Sequence, residues 1–258
     1  MTELPLRVSW DLEIGGAPMA SASLADVLTP HERAHHDRFA FEKRRRDWLM
    51  GRFVAKRLIA RMVRERFGRH PPASAVQIDT APTGAPVPLN ASVCGLIEFP
   101  AGARLPLELS ISHSRGAAFA AAFWHADEGS GRARIGADLE WIEPRAPDLF
   151  DDYFTTDERR YCAQGGAGER DRRATIVWSA KESGLKAAGL GLTVDTRAIV
   201  CLPASSAIPL LPEPHERWQA LSIATQPPLS LSMNDAVGCW QIRDGFAFTL
   251  VVARTSAG

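Results

Sequence analysis

Trp178–Leu192 reads WSAKESGLKAAGLGL, and it decides how the surrounding chain is organised. The window forms the second half of a helix expected over Asp171–Ala188, with Asp171 as its cap and Gly189 to Gly191 ending it through a left-handed turn. Glu182 and Lys186 are i,i+4 neighbours on that helix, with Trp178 on the same side. The chain holds 30 Lys and Arg, of which only Lys43, Lys56, Lys181 and Lys186 are lysines. Two of the four fall in this window. Either they form a surface ion pair worth a few tenths of a kcal/mol, or they were placed for a task that arginine performs badly. A compact ammonium suits a phosphate whose charge moves during reaction, whereas the planar guanidinium suits fixed bidentate pairing.

Outward from the helix, the chain carries neither a short repeat nor a low-complexity tail, yet its element pattern looks doubled. Pro/Gly-rich breaks fall at Thr80–Pro88, Asp127–Arg132, Gln164–Glu169 and Leu202–Pro214. The first half reads as a strand near Leu6–Leu12, a long helix near Arg45–Phe67, and strands near Val76–Asp79, Leu107–Ser112 and Ala117–Trp124. The second half reads as a strand near Arg134–Trp141, helices near Thr156–Ala163 and Asp171–Ala188, and four further strands near Ala198–Leu202, Trp218–Thr225, Ala236–Ile242 and Ala247–Ala253. Helices interrupting short strands give an α+β fold of two similar halves, each a helix on a small, mostly antiparallel sheet. The expected halves are residues 1–126 and 132–258, divided at the DEGSG turn.

Composition narrows the function classes. Hydrophobic residues at 45% and charged residues at 23% are ordinary for a globular chain of 258 residues. A formal net charge of zero gives no global case for nucleic acid or membrane binding. MTELPLRVSWDLE lacks the basic and apolar regions of a signal peptide, and the longest apolar run, Ala117–Trp124, is too short to span a bilayer. Cys94, Cys162, Cys201 and Cys239 are scattered without zinc spacing, as expected of reduced thiols.

The long helix carries an apolar stripe at Met50, Val54, Leu58 and Met62. Eleven Lys or Arg face three acids between Glu42 and Arg69. That charge is either a solvated face or a cradle for a polyanionic small molecule, with Arg44, Arg45, Arg46 and Arg52 at its start. In IGADLEW (Ile135–Trp141), alternation on a strand puts Asp138 and Glu140 on one face, about 7 Å apart. Such a pair is a wet strand face or two ligands for a hard divalent cation. LSISHSRG (Leu109–Gly116) ends a strand in two hydroxyls, an imidazole and a guanidinium, a group able to bind phosphate oxygens.

The series formed by Ser112, His113 and Ser114, then Gly136, Asp138 and Glu140, then Trp178, Lys181, Glu182, Lys186, Gly189 and Gly191 resembles the motifs of the surfactin-type 4′-phosphopantetheinyl transferases. YFTTDE places Glu158 at a glutamate of that family, and RRRDWLMGR resembles the arginine-rich start of its first long helix. The likeness covers roughly residues 30–192. It implies a pseudo-twofold arrangement of the two halves with coenzyme A between them. Asp138, Glu140 and Glu182 would hold Mg2+, and Glu182 would take the proton of a carrier-protein serine. Lys181 and Lys186 would stabilise the diphosphate. Ser112 and His113, with Arg45, Arg46 and Arg52, would hold the nucleotide end. The resemblance further implies a cytoplasmic, monomeric, pseudo-dimeric enzyme acting on an acyl or peptidyl carrier protein. Where the family has a lysine in a Gly-Lys-Pro turn, this chain has Ala85. Other readings are a different Mg-dependent phosphoryl or nucleotidyl transfer enzyme and a non-catalytic polyanion-binding module.

Overall fold

The computed structural model describes residues 6–15, 23–91, 98–125, 133–190, 194–206, 210–213, 218–226 and 236–254. The DEGSG turn, Cys94 and Gly191 lie outside these residues. Two compact units emerge: Ser9–His125, and Met1–Val8 with Ala126–Gly258. The opening residues of the first strand therefore group with the later unit, unlike the simple division at residue 126.

In Ser9–His125 the elements are β1 (Leu6–Ile14, begun in the other unit), α1 (Leu24–Val27), α2 (Pro30–His36), α3 (Glu42–Phe67), β2 (Val76–Thr80), β3 (Pro86–Asn90), β4 (Leu107–Ser114) and β5 (Ala117–Trp124). β4, β5 and β1 run in that order as antiparallel neighbours, and β2 and β3 form a separate hairpin. The stripe of α3 packs Met50, Val54, Leu58 and Met62 on Leu107, Leu109 and the alanines of β5. Small residues along β5 let the helix approach, at one point so closely that a Cβ on Gly51 would stand 3.1 Å from Ile111. The β3 strand begins inside a stretch that reads as a break, because Pro86 and Pro88 suppress the strand signal.

The later unit contains β6 (Ala133–Trp141), α4 (Pro147–Tyr153), α5 (Thr156–Ala163), α6 (Ala167–Ala188), β7 (Ile199–Pro203), β8 (Leu210–Glu213), β9 (Gln219–Thr225), β10 (Val237–Arg243) and β11 (Phe246–Arg254). Its five-stranded antiparallel sheet has the order β6-β11-β10-β9-β7. Helix α6 lies across it, burying Ile176, Ala180 and Ala187 against Ala247, Val251 and Ala253. The helix begins a turn earlier than the sequence suggests. Gly166 is its N-cap with no side-chain bond, and Asp171 lies inside it. Its end is as expected, with Gly189 left-handed at φ 73°.

Each unit is fastened by the same buried device. In the first, Thr29 and Glu32 form a capping box at the start of α2. Glu32 accepts from the Ile78 amide at 3.0 Å and is bonded to the fully buried Lys56, which also donates to the Val27 carbonyl. In the second, Thr155 and Glu158 form the capping box of α5. Glu158 accepts from the Cys201 amide at 2.8 Å and pairs at 2.8 Å with the fully buried Lys181. A buried charge survives only when paired and hydrogen-bonded, and both pairs meet that condition.

Candidate active site

The geometry of the candidate site begins at a glycine. A Cβ on Gly136 would stand 1.8 Å from the Ser183 carbonyl oxygen and 2.8 Å from the Ala187 amide. Only a glycine lets β6 lie directly on the backbone of α6 at that point. The approach is held from the neighbouring strand, where Thr249 bonds both Ser179 (2.9 Å) and Ser183 (2.6 Å) through its hydroxyl. Thr249 is the register partner of Asp138, so the clamp lies beside the carboxylate it positions.

With the helix so close, Asp138 is buried rather than on a wet strand face. Lys186 reaches back from α6 to donate to Asp138 Oδ1 at 2.7 Å and to the Ala137 carbonyl at 3.1 Å. Glu182, one turn earlier, stands 3.9 Å from the same ammonium. Glu140 follows on β6 and accepts from Arg145 at 3.2 Å, while Arg145 also donates to the Trp141 carbonyl. The structure thus brings Asp138, Glu140, Glu182 and Lys186 into one cluster. Arg145 is an added member that the sequence gives no periodic signal for.

The surroundings raise the proton affinity of Glu182, Glu140 and Lys186. Burial, then the Asp138 and Glu140 carboxylates, push the Glu182 carboxyl up to about 7. Burial and Asp138 raise Glu140 as well. For Lys186 burial alone would lower the pKa, but Asp138, Glu182 and Glu140 outweigh it and the ammonium is held more firmly than usual. The cluster gathers three carboxyl groups around one ammonium, with the Arg145 guanidinium at its edge.

Among the described residues, no three His, Cys, Asp or Glu side chains stand ready-arranged around a metal ion. The donor set is nonetheless all-oxygen and anionic. It fits Mg2+, which takes one or two carboxylates plus water and substrate phosphates rather than a closed protein cage.

Lys181 is a correction. Its side chain is fully buried, donates to the Thr196 and Ile199 carbonyls, and forms an ion pair with Glu158. It faces away from Lys186 and no ligand reaches it. Three oxygens gathered around one buried nitrogen suit a compact ammonium and not a planar guanidinium, which explains the lysine without any phosphate. Trp178 likewise packs edge-on against Tyr153, with ring centroids 5.2 Å apart.

The remaining expected residues belong to the Ser9–His125 unit. His113 and Arg46 are exposed, Ser112 is buried on the other side of β4, and Arg45 is half-buried beside Glu42. Arg52 is buried, stacked 4.7 Å over the Trp48 ring and 3.9 Å from Glu32. Ala85 is exposed in the turn between β2 and β3.

Residues 134–232, a stretch that contains the four clustered side chains, match the model of the 4′-phosphopantetheinyl transferase superfamily. No curated protein matches the chain. Among solved structures, the chain is similar to holo-[acyl-carrier-protein] synthase (AcpS) of Thermotoga maritima at 18% identity and a TM-score of 0.37. That match covers 48% of this chain and 64% of that one. It is also similar to the ACPS–CoA complex of Chronobacterium ammoniagenes at 17% identity and a TM-score of 0.38, covering 49% of this chain and 99% of that one. No helix among the described residues is long and apolar enough to cross a membrane.

Proposed function

We propose that the chain transfers the 4′-phosphopantetheine group of coenzyme A to a serine of an acyl or peptidyl carrier protein, releasing adenosine 3′,5′-bisphosphate. One observation carries this reading. Three carboxylates and an ammonium converge where Gly136 lets β6 meet α6, inside the segment that matches the transferase superfamily.

Asp138, Glu140 and Glu182 would hold Mg2+, which when bound neutralises and orients the diphosphate. The other roles fall to the protein. Lys186 uses two of its three donors on Asp138 and Ala137, which aims the ammonium and leaves a donor for a diphosphate oxygen. Glu182, directly or through a water, would take the serine proton as the hydroxyl oxygen attacks the β-phosphorus. The phosphoanhydride bond then breaks and its electron pair leaves with adenosine 3′,5′-bisphosphate. Arg145 fixes the Glu140 carboxylate. Arg46 and His113, from exposed positions, would contact the nucleotide end, with Arg45, Arg52 and Ser112 shaping that region. Lys181 has no part in the reaction. Such an enzyme belongs in the cytoplasm with its two substrates, and a single chain of two similar units would serve as a monomer.

Intact-mass spectrometry of apo fatty acid, polyketide and nonribosomal peptide carrier proteins, each incubated with the protein, coenzyme A and Mg2+, tests the reading. One phosphopantetheine added to one serine of at least one carrier, abolished by chelation, is expected. No mass gain on any of the three classes would contradict it.

A further inference from the structure

The two units share more than a topology. Their sheets use the same register, with Leu12 opposite Phe119 on β1 and β5, and Leu139 opposite Phe248 on β6 and β11. Both hairpins turn through a left-handed pair, Arg115–Gly116 in one and Asp244–Gly245 in the other. Arg61 donates to the Trp10 carbonyl at 2.6 Å, as Lys186 donates to that of Ala137. With the two buried lysines as a further fixed point, Asp11-Leu12-Glu13 corresponds to Asp138-Leu139-Glu140, Lys56 to Lys181, and Arg57 to Glu182. The first unit therefore repeats the carboxylate pair of the candidate site, with an arginine in place of the third carboxylate.

That arginine bridges the two carboxylates. Its Nε and one Nη bond both oxygens of Asp11, at 2.6 and 3.0 Å. The other Nη donates to Glu13 at 2.9 Å, and the Leu12 carbonyl accepts at 2.9 Å. A carboxylate together with a divalent cation carries a net charge of plus one. A guanidinium carries the same charge on one side chain.

We infer that Arg57 is a built-in cation occupying the first unit's counterpart of the metal site, so that this unit takes no divalent ion until Arg57 is replaced by an acid. The chain would then hold one catalytic ion although its fold supplies two carboxylate pockets. The count of one rests on the proposed function; the closure of the first pocket by Arg57 does not.

The test is a Mn2+ titration followed by electron paramagnetic resonance on metal-free protein, which distinguishes the two claims. Wild type should bind one ion, Asp138→Ala none, and Arg57→Glu two. The double variant Arg57→Glu/Asp138→Ala should bind one ion, in the opened first pocket, at least tenfold tighter than Asp138→Ala binds any. A folded double variant that binds no ion would overturn the inference. A wild type that binds none, beside a double variant that binds one, would sink the metal in the proposed function and leave Arg57's role intact. Should Arg57→Glu not fold, Arg57→Asp/Asp138→Ala supplies the acid on a shorter side chain. Millimolar Mn2+ should raise its melting temperature by several degrees and leave that of Asp138→Ala alone, and an equal response in both would overturn the inference.

Discussion

Lys181 and Lys186 are five residues apart on one helix and sit in different surroundings, one fully buried and the other beside Asp138. Replacing Lys181 by Met strands the buried Glu158 carboxylate, which should cost about 3–5 kcal/mol. Urea denaturation should register that loss, and the twin substitution Lys56→Met should match it; a loss under about 1 kcal/mol in both would remove their structural role. Lys186→Arg, by contrast, should melt near wild type and lose on the order of a hundredfold in transfer rate, because the longer planar fork cannot place its charge on the same oxygen. A near-normal rate would reduce Lys186 to a helix-surface partner of Glu182. Glu182 itself makes a pH-dependent prediction. Its carboxyl is raised from 4.5 to about 7 on folding, so the folded chain holds a proton that the unfolded chain releases first. Its contribution to stability is therefore full below about 4.5 and declines as pH rises through that window. In metal-free protein, the stability advantage of Glu182→Gln over wild type should grow across the same range, by on the order of 3 kcal/mol, and then level off. A constant difference from pH 4.5 to 7 would contradict the shift.

At the scale of elements, β6 and α6 form one functional piece because their backbones touch. Gly136→Ala should force them apart and cost about 3 kcal/mol or more, as overpacking against backbone does. Thr249→Val, which leaves Ser179 and Ser183 without their shared hydroxyl, should cost about 1–3 kcal/mol. Thermal unfolding measures both, and wild-type stability in Gly136→Ala would refute the close approach. Much of this piece was legible in the sequence, since alternation placed Asp138 with Glu140 and helical spacing placed Glu182 with Lys186. The same spacing could not separate Lys181 from Lys186, because periodicity says which residues share a face and not which face is buried. Glu158 explains Lys181, and it lies 23 positions away on another helix. Helix α6 begins at Ala167 inside what reads as a Gly-rich break, since a glycine N-cap offers no side-chain signature. The prolines of β3 hid a strand for the complementary reason.

At the scale of the whole molecule, the doubling visible in the order of elements extends to single residues. The signal for it was present as two D-L-E triplets, Asp11–Glu13 and Asp138–Glu140, each on the strand that opens its half. The triplets alone do not reveal it, because the flanking residues differ and the correspondence is fixed by strand register and by the shared Glu–Lys fasteners. A fold that supplies two carboxylate pairs, one of them closed by Arg57, puts the proposed chemistry at Asp138, Glu140, Glu182 and Lys186, and that proposal has a direct measurement. The rate of phosphopantetheine transfer to a carrier protein, followed by intact mass at saturating coenzyme A and Mg2+, is compared between wild type and Asp138→Ala, with circular dichroism and melting as controls for folding. The account predicts a folded Asp138→Ala protein with less than about a hundredth of the wild-type rate, the loss of several kcal/mol of transition-state stabilisation. Retention of more than about a tenth of that rate in a folded variant would contradict it.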